Sequence, residues 1–421
     1  MKIVAVTYGT EGDTRPLAAL CRGLQESGDE TLLLADAGTL AGVRDLGVPS
    51  SALAGDIRSA LAPSGAAEPV RTPRGLDATA TTLARLAQQN ADTWMRQILD
   101  AAVGADGLLI AGLATYIGFA AAEKAGIQPI AASLIPLTPT AEFPSPFLPP
   151  RPMPRFLNRR SYSLVSGALW RAFRGSTNAA RSGVGLPPGH RLSADHPMIY
   201  GISPTVLPRP ADWPARTWLC GQWVQPVHDW PLPQHVEEFL ASGEPPIYVG
   251  FGSMAGLDHG DLMDAVVTAV AGRRAVFYPG WGRGAGSLQL PDNFLVIGEA
   301  PHDWLFPRMS VIIHHGGSGT THSAARAGVP SIALPFAADQ FFWARRLQQL
   351  GIAPAIGGAR RVTAGELSAA ITAAGSETMR ARAADVGARM RTEDGVATAV
   401  DRIHRILGHV ETTAHRNRSD R

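Results

Sequence analysis

The stretch IIHHGGSGTT at residues 312–321 decides the fold of the second half of this chain. Its apolar start predicts a buried strand, and its glycines predict a tight turn from which a helix begins. The free N–H groups at a helix N-terminus carry about half a positive charge, and glycine lets an anion approach them closely. Every α/β protein needs glycines at such turns, but the two adjacent histidines favour a phosphate site, to which Ser318, Thr320 and Thr321 would add hydroxyl donors.

Short apolar strands alternate with helical periodicity on both sides of this stretch. Strands are predicted at residues 247–251, 275–278, 294–297, 311–314 and 331–334, and in the first half at 2–7, 31–35, 107–111 and 128–133. Strands that alternate with helices predict parallel sheets with crossover helices. We therefore expect an α/β protein with two doubly wound parallel-sheet domains.

The length of 421 residues also favours two domains. We expect a first domain at 1–205, a turn-rich linker with several tryptophans at 206–235 and a second domain at 236–394. An amphipathic helix at 395–408 should end at Gly408 and could pack back on the first domain. A disordered polar tail is expected at 409–421.

Composition excludes several classes of function. Lys plus Arg number 38 and Asp plus Glu 36, so the net charge of +2 gives no global field that would steer the protein toward nucleic acid or an anionic membrane. The two cysteines, Cys21 and Cys220, fit neither a disulfide scaffold nor a zinc knuckle. A short N-terminal apolar run and the lack of any long apolar window predict no signal peptide and no transmembrane segment. We therefore expect a cytoplasmic protein whose partners are small molecules.

A proline-rich segment interrupts the first half of the chain. Eight prolines lie between residues 134 and 158, too many for a regular element, so a long loop is predicted. Such a loop is either a mobile insertion or a binding surface. Its apolar side chains favour an apolar ligand; they are Phe143, Phe147, Leu148, Met153 and Phe156.

The turn after the first predicted strand carries an acid. Residues 7–16 read TYGTEGDTRP, which places Asp13 at the start of a helix. An aspartate there is ordinarily a helix cap worth about 1 kcal/mol. The same carboxylate could instead face the cleft between the domains.

Four segments together resemble a known family. GTEGDTRPLAAL, PPIYVGFGSM, PHDWLFPRMSVIIHHGGSGTT and GVPSIALPFAADQFFWARRLQQLGI occur in the order found in bacterial antibiotic and sterol glycosyltransferases of the UDP-glycosyltransferase superfamily. The resemblance runs from the first strand to about residue 360. It implies the GT-B architecture, in which two Rossmann-like domains face each other, the second holding a nucleotide sugar and the first an apolar acceptor. It also implies transfer of a hexose or deoxyhexose with inversion.

Individual roles are implied by the matching positions. Asp13 corresponds to the catalytic base, which would take a proton from the acceptor hydroxyl. The expected diphosphate ligands are His314, Gly317, Ser318, Gly319, Thr320, Thr321 and, on a second glycine-rich turn at 249–254, Ser253. His315 is expected only to pack or bond locally. The expected sugar ligands are Asp339 and Gln340, and the expected base and ribose neighbours are Trp281, Ala300 and His302. Thr10, Phe143 and Phe147 are expected at the acceptor.

Alternatives remain at several of these positions. Asp339 could cap the helix that follows it, and Trp281 could be a core residue. His322 occupies the position where plant members carry a ribose-binding glutamate, which leaves UDP and dTDP sugars both open. No Asp-x-Asp pair and no metal-ligand spacing occur, so we expect no metal and no cofactor besides the nucleotide-sugar co-substrate.

Two other functions remain open at this stage. A nucleotide-sugar epimerase can share the two-domain architecture, and a non-catalytic relative could bind the nucleotide sugar and assist a partner enzyme. The apolar proline-rich loop and the Asp339-Gln340 pair argue against the epimerase. The intact set of Asp13, His314, Asp339 and Gln340 argues against the helper protein. A monomer or a homodimer is expected.

Overall fold

The computed structural model describes residues 1–61, 74–149, 153–192, 195–225, 230–231, 233–252, 260–280 and 290–419. Within them the chain forms two parallel β-sheets, each covered by helices on both faces. The predicted α/β class with two doubly wound domains is therefore confirmed.

The first sheet has seven strands in the order β3-β2-β1-β4-β5-β6-β7. The strands are β1 (Lys2–Val6), β2 (Glu30–Asp36), β3 (Ser50–Leu53), β4 (Gly107–Ile110), β5 (Gln128–Ser133), β6 (Met198–Tyr200) and β7 (Thr217–Leu219). The helices of this half are α1 (Glu11–Glu26), α2 (Ala41–Asp45), α3 (Ile57–Leu61), α4 (Arg74–Ala101), α5 (Thr115–Ala125) and α6 (Asn158–Gly183). The strand order reverses between β1 and β4, the point at which open α/β sheets bind ligands.

The second sheet has five strands in the order β10-β9-β8-β11-β12. They are β8 (Ile247–Gly250), β9 (Ala275–Tyr278), β10 (Phe294–Val296), β11 (Val311–His314) and β12 (Ser331–Ala333). The helices that follow the first sheet are α7 (Gln234–Ala241), α8 (Gly260–Val270), α9 (His302–Leu305), α10 (Ser318–Ala327), α11 (Gln340–Gln349), α12 (Ala364–Ala374), α13 (Glu377–Arg391) and α14 (Gly395–Ser419). Here the order reverses between β8 and β11. None of the described helices is long and apolar enough to cross a lipid bilayer.

Strands β1, β2, β4 and β5 each contribute to two cores because successive side chains point to opposite faces. Val4 and Val6 pack into the core beneath α4, α5 and α6, whereas Ile3 and Ala5 pack into the core beneath α1. The strands read as continuous apolar runs for this reason.

The structure differs from two of the expected boundaries, the end of the first domain and the start of the C-terminal tail. β7 lies inside the expected linker at 206–235, so the first sheet extends past residue 205. Its three residues, set among prolines, are too few to show a strand period. The expected disordered tail is helical through Ser419, because Gly408 is followed by residues that do not break a helix.

The last helix, α14, packs on the first domain. Val400, Ile403 and Leu407 enter the core that also holds Leu20 and Leu24 of α1. The Nε2 atom of His404 lies 2.6 Å from the Oδ2 atom of Asp29, in the turn after α1. The chain therefore runs from the first domain to the second and back again.

Two segments of the chain cross between the domains, one after β7 and one at the start of α14, and they contact each other at glycines. Gly221, with φ of 102°, follows β7, and Gly395 begins α14. A Cβ on Gly221 would lie 2.9 Å from the Cα of Gly395, and one on Gly395 would lie 2.5 Å from the backbone carbon of Gly221. Two backbones pass here with no room for a side chain.

Gly395→Ala should therefore destabilise the protein by about 1–3 kcal/mol, since the added methyl group forces the two crossings apart. Chemical denaturation followed by circular dichroism measures the change. Gly365→Ala, in α12, is the matched control because a Cβ there meets no heavy atom within 4 Å. Equal stability of the two variants would contradict the argument.

Candidate active site

Chemistry-bearing residues of both domains meet where the carboxyl ends of the two sheets face each other. The hydroxyl of Ser318 donates to the carbonyl of Leu134 across the interface at 2.8 Å. The guanidinium of Arg15 on α1 lies 2.6 Å from the carboxylate of Glu299 in the second domain. Helices α1 and α10 are also in contact. The turns after β1, β11 and β12 therefore share one cleft.

Asp13 occupies the first turn of α1, three residues after the N-cap Thr10. Its Oδ2 atom accepts hydrogen bonds from the backbone N–H of Thr10 at 2.8 Å and from the hydroxyl of Thr10 at 3.2 Å. Gly9 lacks a Cβ, and any Cβ there would collide with the Asp13 carboxylate. The side chain thus performs the capping role that the sequence suggested as the alternative.

The same environment makes Asp13 a stronger base. Burial raises its pKa, against the two hydrogen bonds from Thr10, which lower it. The Oδ1 atom has no hydrogen-bond partner among the described residues. Asp13 can therefore hold its helix through one oxygen and accept a proton through the other.

The glycine-rich turn between β11 and α10 has the geometry of an anion site. Helix α10 begins at Ser318 with Gly317 as the N-cap, so its first N–H groups have no acceptor within the helix. Gly316 has φ of 84°, and a Cβ there would lie 3.0 Å from the carbonyl oxygen of Gln340. The amides at 318–320 thus form a helix N-terminus beside the residues expected to bind a sugar.

The two histidines of this turn differ in position. His314 ends β11 and is fully buried; its Nδ1 atom accepts the N–H of Gly316 at 3.1 Å. Its Nε2 atom therefore carries the proton in the neutral ring and has no partner among the described residues. His315 is only half-buried and lies between the two glycine-rich turns, against Gly252 and Gly317.

The sequence analysis gave His315 only a local packing role, but its ring faces both turns that could hold a diphosphate. A Cβ on Gly252 would lie 3.1 Å from the Cε1 atom of His315, and one on Gly317 would collide with its Nε2 atom. Side chains alternate along a strand, which puts residues 314 and 315 on opposite faces, but β11 is buried along its whole length, so the sequence pattern does not show which of the two faces the turns.

Two other residues of α10, Ser318 and His322, are engaged in contacts within the protein. The hydroxyl of Ser318 is already donated to Leu134, so it is not a free donor toward an anion. His322 is buried, its Nδ1 atom lies 2.8 Å from the carbonyl of Ser318, and its ring meets the edge of Trp343. The position of the plant ribose ligand is thus filled here by a core residue. Thr321, whose buried Oγ1 has no described partner, remains a candidate donor.

Asp339 and Gln340 follow β12 in a strained turn, where Ala338 adopts φ of 51° although it is not glycine. The Oε1 atom of Gln340 accepts the N–H groups of Phe336 at 2.8 Å and Ala337 at 3.1 Å, which holds this turn closed. The Oδ2 atom of Asp339 accepts the indole N–H of Trp343 at 3.0 Å. Each side chain keeps polar atoms for a ligand: the amide N–H groups of Gln340 and the second carboxylate oxygen of Asp339.

The charge of Asp13 affects the pKa of Asp339 across the cleft. Burial raises the pKa of Asp339 to about 7, and the charge of Asp13 adds to the rise. Within the described residues, no group of three or more His, Cys, Asp or Glu side chains could hold a metal ion.

The expected base and ribose neighbours are only partly described. Trp281 and Ser253 lie outside the described residues. His302 begins α9, and its ring stacks on Phe306 with centroids 4.1 Å apart. Ala300 is half-buried and packs against the core cluster that contains Phe306.

A cavity of about 510 Å³ lies between the proline-rich loop and α11. Phe143, Leu148 and Met153 of the expected acceptor surface line it, opposite Phe341 and Phe342. Phe147 is half-buried but does not line the cavity, and Phe156 is 75% exposed. Thr10, also expected at the acceptor, is half-buried beside Asp13 instead.

Comparison with known proteins gives three kinds of likeness. The family model of the C-terminal domain of erythromycin biosynthesis protein CIII-like proteins matches residues 281–405. A sterol 3-beta-glucosyltransferase of Arabidopsis thaliana is 32% identical over 97% of this chain and 68% of its own length. One from Aspergillus fumigatus is 31% identical over 98% of this chain, which spans only 30% of that protein.

Solved structures agree in fold. The glycosyltransferase of kitacinnamycin matches with a TM-score of 0.72 and 21% identity, over 96% of this chain and 99% of that one. The glycosyltransferase VinC in complex with dTDP matches with a TM-score of 0.65 and 18% identity, over 97% and 100%.

The histidines of the cleft predict an acid-sensitive fold. Burial lowers the pKa of His314 to about 3 and that of His315 to about 4. In the unfolded chain a histidine binds a proton near pH 6.5, so stability should be lost as the pH falls from 6.5 toward 4. For His314 the loss is about 2 kcal/mol between pH 6.5 and 5.

Denaturant unfolding at several pH values measures this dependence, and His314→Gln should make it shallower by that amount. NMR titration of the imidazole resonances gives a second readout. A His314 ring that titrates near pH 6.5 in the folded protein would refute the prediction.

Proposed function

Because the chain belongs to the UDP-glycosyltransferase superfamily of GT-B fold, we propose that it moves a sugar from a nucleoside diphosphate to a hydroxyl group of an apolar acceptor. One observation carries the proposal. The carboxylate of Asp13 and the helix N-terminus of α10 belong to different domains but border the same cleft. A base for the acceptor and an anion site for the leaving group thus face each other.

The diphosphate would lie at the N-terminus of α10. Negative charge grows on the leaving group during transfer, and the free amides at 318–320 stabilise it without rearranging. His314 Nε2–H and the Thr321 hydroxyl, both buried without described partners, would add two donors. His315 would contact the diphosphate between the two glycine-rich turns. The hydroxyl of Ser318 keeps its bond to Leu134.

Asp13 would act as the general base. Its raised pKa improves proton abstraction, while the Thr10 N–H fixes the direction of the carboxylate. A direct attack of the activated hydroxyl on the sugar inverts the anomeric carbon. Asp339 and Gln340 would bind sugar hydroxyls with the polar atoms that their local bonds leave available.

The acceptor would occupy the cavity beside the proline-rich loop. Its apolar wall and its volume of about 510 Å³ suit a compact apolar molecule such as a sterol or a polyketide. The sterol 3-beta-glucosyltransferases among the relatives support an acceptor of this class. Helix α11 joins the cavity to Asp339 and Gln340 at its N-terminus.

Asp13→Asn should reduce the transfer rate roughly 10²- to 10⁴-fold, because an amide cannot take the proton. The amide oxygen still accepts the Thr10 N–H, so folding should be kept. The assay follows nucleotide release and product mass with UDP-glucose or dTDP-glucose and a panel of apolar acceptors. Glu11→Gln, in the same helical turn, is the control. Unchanged transfer by Asp13→Asn, or epimerised donor without an acceptor, would overturn the mechanism.

Gly317→Ala should weaken binding of UDP or dTDP on the order of tenfold or more, a loss of roughly 1.4 kcal/mol, because the new methyl group displaces the His315 ring. Gly319→Ala, in the same turn, is the matched control because a Cβ at residue 319 meets no heavy atom within 4 Å. Its affinity should stay close to that of the native protein. Titration calorimetry measures both, and similar losses would contradict the role of His315.

A further inference from the structure

The charge of the chain is unevenly distributed. Residues 143–194 contain no Asp or Glu, although the whole chain is almost neutral. The same segment contains eight arginines: Arg151, Arg155, Arg159, Arg160, Arg171, Arg174, Arg181 and Arg191. It covers the second part of the proline-rich loop and the whole of α6.

Part of this charge is unneutralised at the surface. Arg159 pairs with Asp212 and Arg181 with Glu123. Arg155, Arg160, Arg171 and Arg174 are exposed and form no salt bridge within the described part of the chain. A basic surface therefore remains along one side of α6.

Large apolar side chains are exposed on the same side. Phe156, 75% exposed, precedes α6, and Leu164, 67% exposed, lies on it. Arg160, Leu164 and Arg171 are separated by four and seven residues, so they share one stripe of α6. Phe156 lies in the short 3-10 turn at Arg155–Leu157 that leads into this stripe. We call these four residues the α6 stripe: Phe156, Arg160, Leu164 and Arg171.

The opposite side of α6 is fixed to the domain. Tyr162 and Phe173 are buried, and the ring of Phe173 stacks on Tyr116 of α5 at 5.6 Å. Helix α6 also packs along α4. The stripe is therefore held outward by a stable helix.

The stripe begins at the rim of the proposed acceptor cavity. Met153, Arg155 and Asn158 line that cavity, and Phe156 stands among them with its ring in solvent. An apolar acceptor partitions from water into lipid. A surface beside the cavity mouth that binds lipid would bring the protein to such an acceptor.

We propose that the α6 stripe docks on a bilayer surface that contains anionic lipids, with Phe156 and Leu164 between the headgroups and the arginines on lipid phosphates. Aromatic and aliphatic side chains on a basic helix bind at this interface. Arginine near an anionic surface adds to the attraction. The delivery of an acceptor from the bilayer rests on the proposed function, whereas the docking does not.

Vesicle co-sedimentation tests the charge requirement. The full chain should bind vesicles of phosphatidylcholine with one third phosphatidylglycerol and bind pure phosphatidylcholine much less. Arg160→Glu with Arg171→Glu should lower the partition coefficient by about 30-fold or more, since each lost arginine alone contributes roughly fivefold. Arg380→Glu with Arg389→Glu, the same charge change on exposed residues of α13, should have little effect. Equal losses in the two pairs would overturn the proposal.

A fluorophore tests insertion. Cys21 and Cys220 are buried, so a thiol-reactive nitrobenzoxadiazole dye labels Leu164→Cys selectively. Its emission should brighten and shift to the blue with the anionic vesicles. Val103→Cys, at a residue 71% exposed in the turn between α4 and β4, is the matched control and should not respond. Binding to heparin without a response of the dye at residue 164 would show a polyanion site instead and would refute membrane docking.

Measurements of transfer activity distinguish the proposed membrane docking from the proposed sugar transfer. The Arg160→Glu, Arg171→Glu variant should transfer sugar normally to an acceptor dissolved with detergent and slowly to one held in vesicles. If the native protein binds vesicles but transfers no sugar to either form, the proposed function fails and the docking stands. If transfer occurs but neither vesicle experiment responds, the docking fails and the proposed function stands.

Discussion

Parallel pairing is the constraint on which this molecule depends. Because all strands of a sheet run in one direction, every turn from a strand to the next helix lies at the same edge. The two domains place these edges opposite each other, so the turns after β1, β11 and β12 meet without any long excursion of the chain. The proposed base, anion site and sugar ligands are each carried by one such turn.

Several of these turns combine support of the fold with chemistry. Asp13 completes the cap of α1 through one oxygen and leaves the other toward the cleft. Gln340 closes its turn with its carbonyl and leaves its amide group. The cleft also keeps buried polar atoms without described partners, at His314 and Thr321, and a strained Ala338. Unpaired buried polar atoms and a strained backbone both cost free energy, and they persist where binding of a ligand is expected to offset that cost.

The sequence predicted the fold class because apolar strands and helical periodicity alternate along most of the chain. It missed β7 and the end of α14, where a strand of three residues and a polar helix leave no periodic signal. At the site, the order of motifs located the turns, but not the direction of each side chain. Whether Ser318 faces a ligand or Leu134, and whether His322 faces a ribose or Trp343, depends on contacts between segments that are distant in the sequence.

The return of α14 to the first domain affects how the protein can be made. Ala399, Val400, Ile403 and Leu407 complete a core whose other buried members lie between Ile3 and Trp223. When the ribosome has released β1 to β7, this apolar face is still uncovered, and it stays so until the whole second domain has emerged. Domains generally fold in order of synthesis. Here the first domain to be made must be the last to be finished, so its open face has to be protected from aggregation throughout translation of the second.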